Sequence, residues 1–131
     1  MAGASADRGS FRDPSGTVYR IGGRILRTIT DHAEKDFAAV VETGLLESLV
    51  GDGSVVGWHD VDDRAEWPGD DESAVRVLEH PVLPFISYPY EWSFRGLKAA
   101  ALLHLDIHLK ALEFGCTLLD ASAYNVQFQG P

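Results

Sequence analysis

Leu102, Leu105, Leu109 and Leu112 recur at i, i+3, i+7 and i+10, and Leu97 and Ala101 extend the same stripe. That spacing predicts an α-helix over 94–114 with a continuous apolar face. Lys98, Asp106, Lys110 and Glu113 mostly lie off the stripe. Ser93 is placed to cap the start, because its hydroxyl can accept an orphan backbone N–H. Gly115 is placed to end it, because glycine enters the left-handed region cheaply. At about 1.5 Å per residue the helix spans roughly 30 Å. A helix of that length belongs at the centre of a small domain. It is expected to be the longest and most buried element, with Leu105 inside the core.

The remaining chain reads as material packed on this unit. Met1–Ser10 is small and polar, and is expected to be a disordered tail. Residues 11–131 are expected to form a single domain. Asp13-Pro14-Ser15-Gly16 carries turn chemistry. Thr17–Ile21 and Arg24–Ile29 are β-rich runs joined by Gly22-Gly23, a hairpin signal because a type I′ turn needs positive φ at both central residues. Asp31 can cap a helix running to about Val50, with Gly44 as its weak point. Ser54–Trp58, Val75–Leu78 and Val82–Ser87 read as strands, the last two broken at His80-Pro81. Asp60–Glu72 holds seven acids and one arginine and reads as a solvated, mobile loop. Val126 and Phe128 alternate with Gln127 and Gln129 as in a half-buried strand, and Gly130-Pro131 looks like a turn. The fold class is α+β: a small N-terminal antiparallel sheet packed with two main helices.

Composition narrows the function. The 131 residues carry 20 acids and 11 bases, a formal net charge of −9. That argues against nonspecific nucleic-acid binding and against docking on anionic membrane. The single cysteine, Cys116, excludes an internal disulfide framework and a multi-cysteine zinc site. No apolar run approaches a membrane span, and Met1–Asp7 lacks signal-peptide character. A cytoplasmic location is the expectation.

Several residues stand out chemically. Tyr88, Tyr90, Trp92 and Phe94 cluster around Pro89, with Glu91 among them. An aromatic cluster usually packs in a core or at an interface; Glu91 fits a helix-start cap or a pocket wall. His104 and His108 have the i, i+4 spacing of a two-histidine metal site but no third ligand. Arg27 beside the glycine pair could face phosphates, although a plain hairpin accounts for it. Glu34 or Glu42 could play the helix glutamate of a kinase, but the hairpin offers no lysine partner.

Asp120 and Asn125 sit five apart between the long helix and the short run that follows. This D-x-x-x-x-N pattern resembles the catalytic loop of protein kinases and aminoglycoside-type phosphotransferases. The resemblance implies a kinase-like fragment in which Asp120 orients an acceptor hydroxyl and Asn125 holds magnesium beside a nucleotide. Leu118 and Leu119 stand where that family has histidine or arginine, and its further metal-binding Asp would fall beyond Pro131.

A longer resemblance covers nearly all of the chain. R-D-P-S-G-T-V-Y-R at 12–20, F-I-S-Y-P-Y-E-W-S-F at 85–94 and L-L-D-A-S-A-Y-N-V-Q-F at 118–128 look like the N-terminal region of bacterial class I SAM-dependent methyltransferases of the nodulation type. The resemblance implies a methyltransferase domain downstream as the partner. It also implies S-adenosylmethionine as cofactor of the whole protein, bound outside this segment. Three readings follow: the accessory segment of a methyltransferase, a kinase-like phosphotransferase or pseudokinase module, and a noncatalytic interaction domain.

Overall fold

The computed structural model describes residues 5–10, 13–69 and 71–129. The chain is α+β and divides into two compact units, residues 1–42 with 56–82 and residues 43–55 with 83–131. A single domain was expected over 11–131. The expected helix over 31–50 is cut at the boundary between the units. Gly44 adopts φ of 80°, which separates α1 (Asp31–Glu42) from α2 (Leu45–Gly51). The left-handed turn at Gly44, cheap only for glycine, swings the chain out of α1, and the Gly44 carbonyl then opens α2 by accepting the Ser48 amide at 3.1 Å.

The first unit is a five-stranded antiparallel sheet with α1 on one face. Its strands are β1 (Ser5–Ala6), β2 (Val18–Ile21), β3 (Arg24–Thr30), β4 (His59–Asp60) and β5 (Ala74–His80), in the order β1-β2-β3-β5-β4. The Gly22-Gly23 hairpin forms as expected, with φ of 56° and 82°. Ser5–Ala6 lies within the expected disordered tail and instead pairs with Tyr19 and Arg20. Residues 1–4 of that tail and the expected Gly130-Pro131 turn lie outside the described residues.

Strand alternation sorts this sheet into two faces. Tyr19, Leu26 and Val77 share one face and form a buried cluster with Val61, against which Ile21 and Trp67 pack. The other face carries α1. Arg76 marks the contact: its guanidinium lies 5.0 Å from the Phe37 ring and 3.6 Å from the Glu34 carboxylate. The short fourth strand falls at His59–Asp60 and not at the expected 54–58. The Ser54 and Val55 amides are taken by the Leu49 carbonyl at the end of α2, at 2.9 and 3.2 Å, and His59 and Asp60 are the residues opposite Glu79 and Leu78.

The acidic segment is tied down at several acids. Asp60 pairs with Arg76, Asp63 accepts the Ala65 amide at 2.9 Å, Glu66 pairs with Arg24, and Asp71 accepts from the fully buried Thr28 hydroxyl at 2.6 Å. The expectation of a solvated, mobile loop fails because the sheet supplies its own arginines and a buried hydroxyl as partners. Burial pushes the Asp71 carboxyl up, but hydrogen bonds from Ser73 and Thr28 outweigh it and leave the group below its usual range.

The second unit is built on α3 (Phe94–Glu113), 20 residues long. Ser93 caps it, its hydroxyl accepting the Gly96 amide at 3.2 Å. At the other end Cys116 N–H bonds Ala111 O at 2.8 Å and Gly115 N–H bonds Leu112 O at 3.0 Å, with Gly115 at φ of 73°. This is a Schellman ending. α2 packs on α3 through its buried Leu45 and Leu49 side, and the Lys110 ammonium reaches Asp52 at 2.6 Å.

α3 is the longest element but not the most buried. Its buried residues are Ala100 and Ala111, with Leu103, Ile107 and Phe114 half-buried on the same side. Leu102, Leu105, Leu109 and Leu112 are 51–62% exposed. At about 100° per residue the two sets lie on roughly opposite sides of the helix. The expectation that the leucine stripe faces the core is therefore corrected. Alanines at the buried positions let neighbouring backbone approach closely; of the four leucines only Leu105 meets other chain of the described second unit, the loop 121–126.

Candidate functional site

The segments that flank α3 carry the residues singled out by sequence. Residues 82–87 and 126–128 do not form the expected strands. Pro84 removes a backbone donor from the first of them. The two segments are joined instead by a side chain. The Gln127 amide accepts the Ser87 N–H at 2.9 Å and donates to the Ser87 carbonyl at 3.0 Å. One carboxamide thus replaces the two bonds of a strand bridge. The Trp92 indole N–H donates to the Ser87 hydroxyl at 2.8 Å, and its ring meets Phe128 edge-on at 5.0 Å.

The aromatic group therefore divides. Trp92 is half-buried and structural. Tyr88 and Tyr90 stack at 5.5 Å with 3° between their planes, and are 45% and 75% exposed. Glu91 caps the single turn at Pro89–Glu91: its carboxylate accepts the Tyr88 N–H at 2.8 Å. It does not cap α3, which Ser93 does. Partial desolvation, and then the neighbouring Glu91 carboxylate, push the Tyr90 phenol above its usual range.

Asp120 and Asn125 lie on the loop that follows the Schellman ending. Ala123–Asn125 forms one helical turn, and the Asn125 carboxamide donates to the Asp120 carbonyl at 3.2 Å. Both residues are exposed, and among the described residues the Asp120 carboxylate accepts no hydrogen bond. The contact between the pair runs from the Asn125 side chain to the Asp120 backbone, as in a loop-closing turn.

The same loop folds back over the first half of α3 and leaves an apolar cleft of about 360 Å³. Leu97, Ala100, Ala101, His104 and Leu105 form one wall; Ala121, Ser122, Ala123 and Val126 form the other. Asp120 and Asn125 do not line it. His104 lines this cleft and meets His108 edge-on at 6.2 Å, while His108 lies 3.2 Å from the Thr117 hydroxyl. Among the described residues no three His, Cys, Asp or Glu side chains gather to hold a metal ion. Arg27 pairs with Asp13 at 3.3 Å. Among the described residues no helix is long and apolar enough to cross a membrane.

Comparison with known proteins adds one match. The chain is 48% identical over 124 residues to nodulation protein NoeA of Rhizobium meliloti (strain 1021). The chain is homologous to part of NoeA. The match takes in 93% of this chain and 25% of NoeA, so the chain spans about a quarter of the length of the curated relative it matches. No family model matches the sequence, and no solved structure matches the fold. The kinase-like expectation therefore has no structural neighbour behind it.

The residues that sequence reasoning missed are Ser87 and Gln127. Gln127 sits in an alternating run, and nothing local distinguishes an outward-facing strand glutamine from one that pairs with a distant backbone.

Proposed function

We propose that this chain is the accessory segment of a longer, NoeA-like bacterial polypeptide, cytoplasmic, whose remaining part carries S-adenosylmethionine-dependent methyl transfer. The 48% identity confined to a quarter of NoeA supports the segment part of the reading, and the resemblance at 12–20, 85–94 and 118–128 supports the methyl-transfer part. The glycine turns of this chain support the division of labour. A methyl-donor site of the α/β type needs a glycine-rich turn leading from a strand into a helix. Gly22-Gly23 joins two strands, and Gly51–Gly53 follows a helix with no helix after it. In this reading the segment binds no methyl donor and contributes folding surface, while Asp120 and Asn125 hold their loop together.

Calorimetric titration of S-adenosylmethionine tests it. Full-length Rhizobium meliloti NoeA is expected to bind the donor in the micromolar range, and this chain is expected to give no heat of binding. Micromolar binding by this chain, or none by NoeA, would overturn the assignment.

A further inference from the structure

Exposed apolar surface is distributed unevenly between the two units. Of the sixteen exposed large hydrophobic residues among those described, thirteen belong to the second unit. The largest ordered group is on α3. Phe94 is 80% exposed, and Leu102, Leu105, Leu109 and Leu112 follow along one side, opposite the face that α3 already buries. A helix apolar on two opposite faces is a helix built to lie between two layers. The described second unit supplies one layer.

We propose that the leucine face of α3 is the docking surface for the remainder of a NoeA-length polypeptide, which lays an apolar helix or sheet face across it. The proposal rests on the reading of this chain as part of a longer NoeA-like protein. Three-quarters of NoeA lies outside the match, which is ample chain to supply the missing layer. A second copy of this chain is the weaker occupant. The a/d spacing of Leu102, Leu105, Leu109 and Leu112 lasts two heptads, and Arg95 and Lys98 occupy the seam positions before it. Stable helix pairing through such a seam takes three or four heptads. Two copies at −9 each would also repel.

The test uses this chain and, as probe, a polypeptide made of the three-quarters of Rhizobium meliloti NoeA outside the match. Complex formation is followed by calorimetry, mass by light scattering, and melting temperature for each variant. Wild type is expected to be a monomer that binds the probe one to one. Leu109→Glu/Leu112→Glu and Leu102→Lys/Leu109→Lys are expected to bind at least 10-fold more weakly with unchanged melting temperature. Equal binding by wild type and both variants would overturn the leucine face and leave the longer-polypeptide reading standing. No binding by wild type would overturn both. A wild-type dimer dispersed by the variants would overturn the proposal in favour of a second copy. Loss of melting temperature in both variants would overturn it too, by placing the leucines inside this chain's own core.

Discussion

The Gln127 carboxamide lies against the Ser87 backbone and makes both of its hydrogen bonds there, at 2.9 and 3.0 Å. That one side chain joins the segment before α3 to the segment after it. Gln127→Ala removes both bonds and leaves a half-buried N–H and C=O without partners. The expected loss is on the order of 1–3 kcal/mol in urea unfolding. Gln127→Glu is expected to cost at least as much, because its second oxygen would face the Ser87 carbonyl. A loss below about 0.5 kcal/mol for both would show that the bridge does not contribute.

Gly16 is held against β3. A Cβ built there would sit 1.8 Å from the Thr28 carbonyl oxygen. Gly16→Ala must therefore push two backbone segments apart, and the chain is expected to lose several kcal/mol or fail to fold. Gly51→Ala, whose added methyl meets nothing within 4 Å, is the control and should leave the melting temperature unchanged or slightly raised.

Leu49 and Leu105 are expected to behave oppositely. Leu49 is 3% exposed and Leu105 55%. Leu49→Ala should cost about 2–5 kcal/mol through lost burial and the cavity left behind. Leu105→Ala should cost less than about 1 kcal/mol. Chemical denaturation of both variants decides it; equal large losses would return the leucine stripe to the core.

The sequence made some of this legible and hid the rest for definable reasons. The 22–23 hairpin and both ends of α3 were readable because their signals are local: paired glycines, a serine cap and a glycine at the left-handed position. The buried face of α3 was not. Four leucines outweigh Ala100 and Ala111 in any hydrophobic pattern, yet the alanines are the residues that neighbouring chain approaches. Helix continuity past Gly44 misread in the same way, since the apolar spacing from Phe37 to Leu49 runs on across a residue that turns the backbone. Asp120 and Asn125 were correctly placed on one loop after the helix, but their spacing does not reveal that the contact is carboxamide to backbone. Only the folded loop places Ala121–Ala123, and not the two polar residues, on the cleft.

Asp52 carries a pH dependence of known sign. The Lys110 ammonium, hydrogen-bonded to its carboxylate, and then Ser54, hold it down to about 2. A folded value below the unfolded one, ordinarily about 3.9, means the contribution is fully present above about pH 4. It is lost as pH falls toward 2. An NMR titration of the Asp52 carboxyl should give a midpoint near 2, moving up toward the usual range in Lys110→Ala. An unchanged midpoint in that variant would remove the pair between α2 and α3 from the account.

The central claim is that α3 presents its leucine face to the rest of a longer protein. The direct measurement is maleimide alkylation of a thiol at Leu109→Cys, in a Cys116→Ser background, with and without the remaining three-quarters of Rhizobium meliloti NoeA. The account predicts rapid alkylation of the chain alone and a rate at least 10-fold slower with the remainder bound. Equal rates in the two samples, with the complex formed, would contradict it.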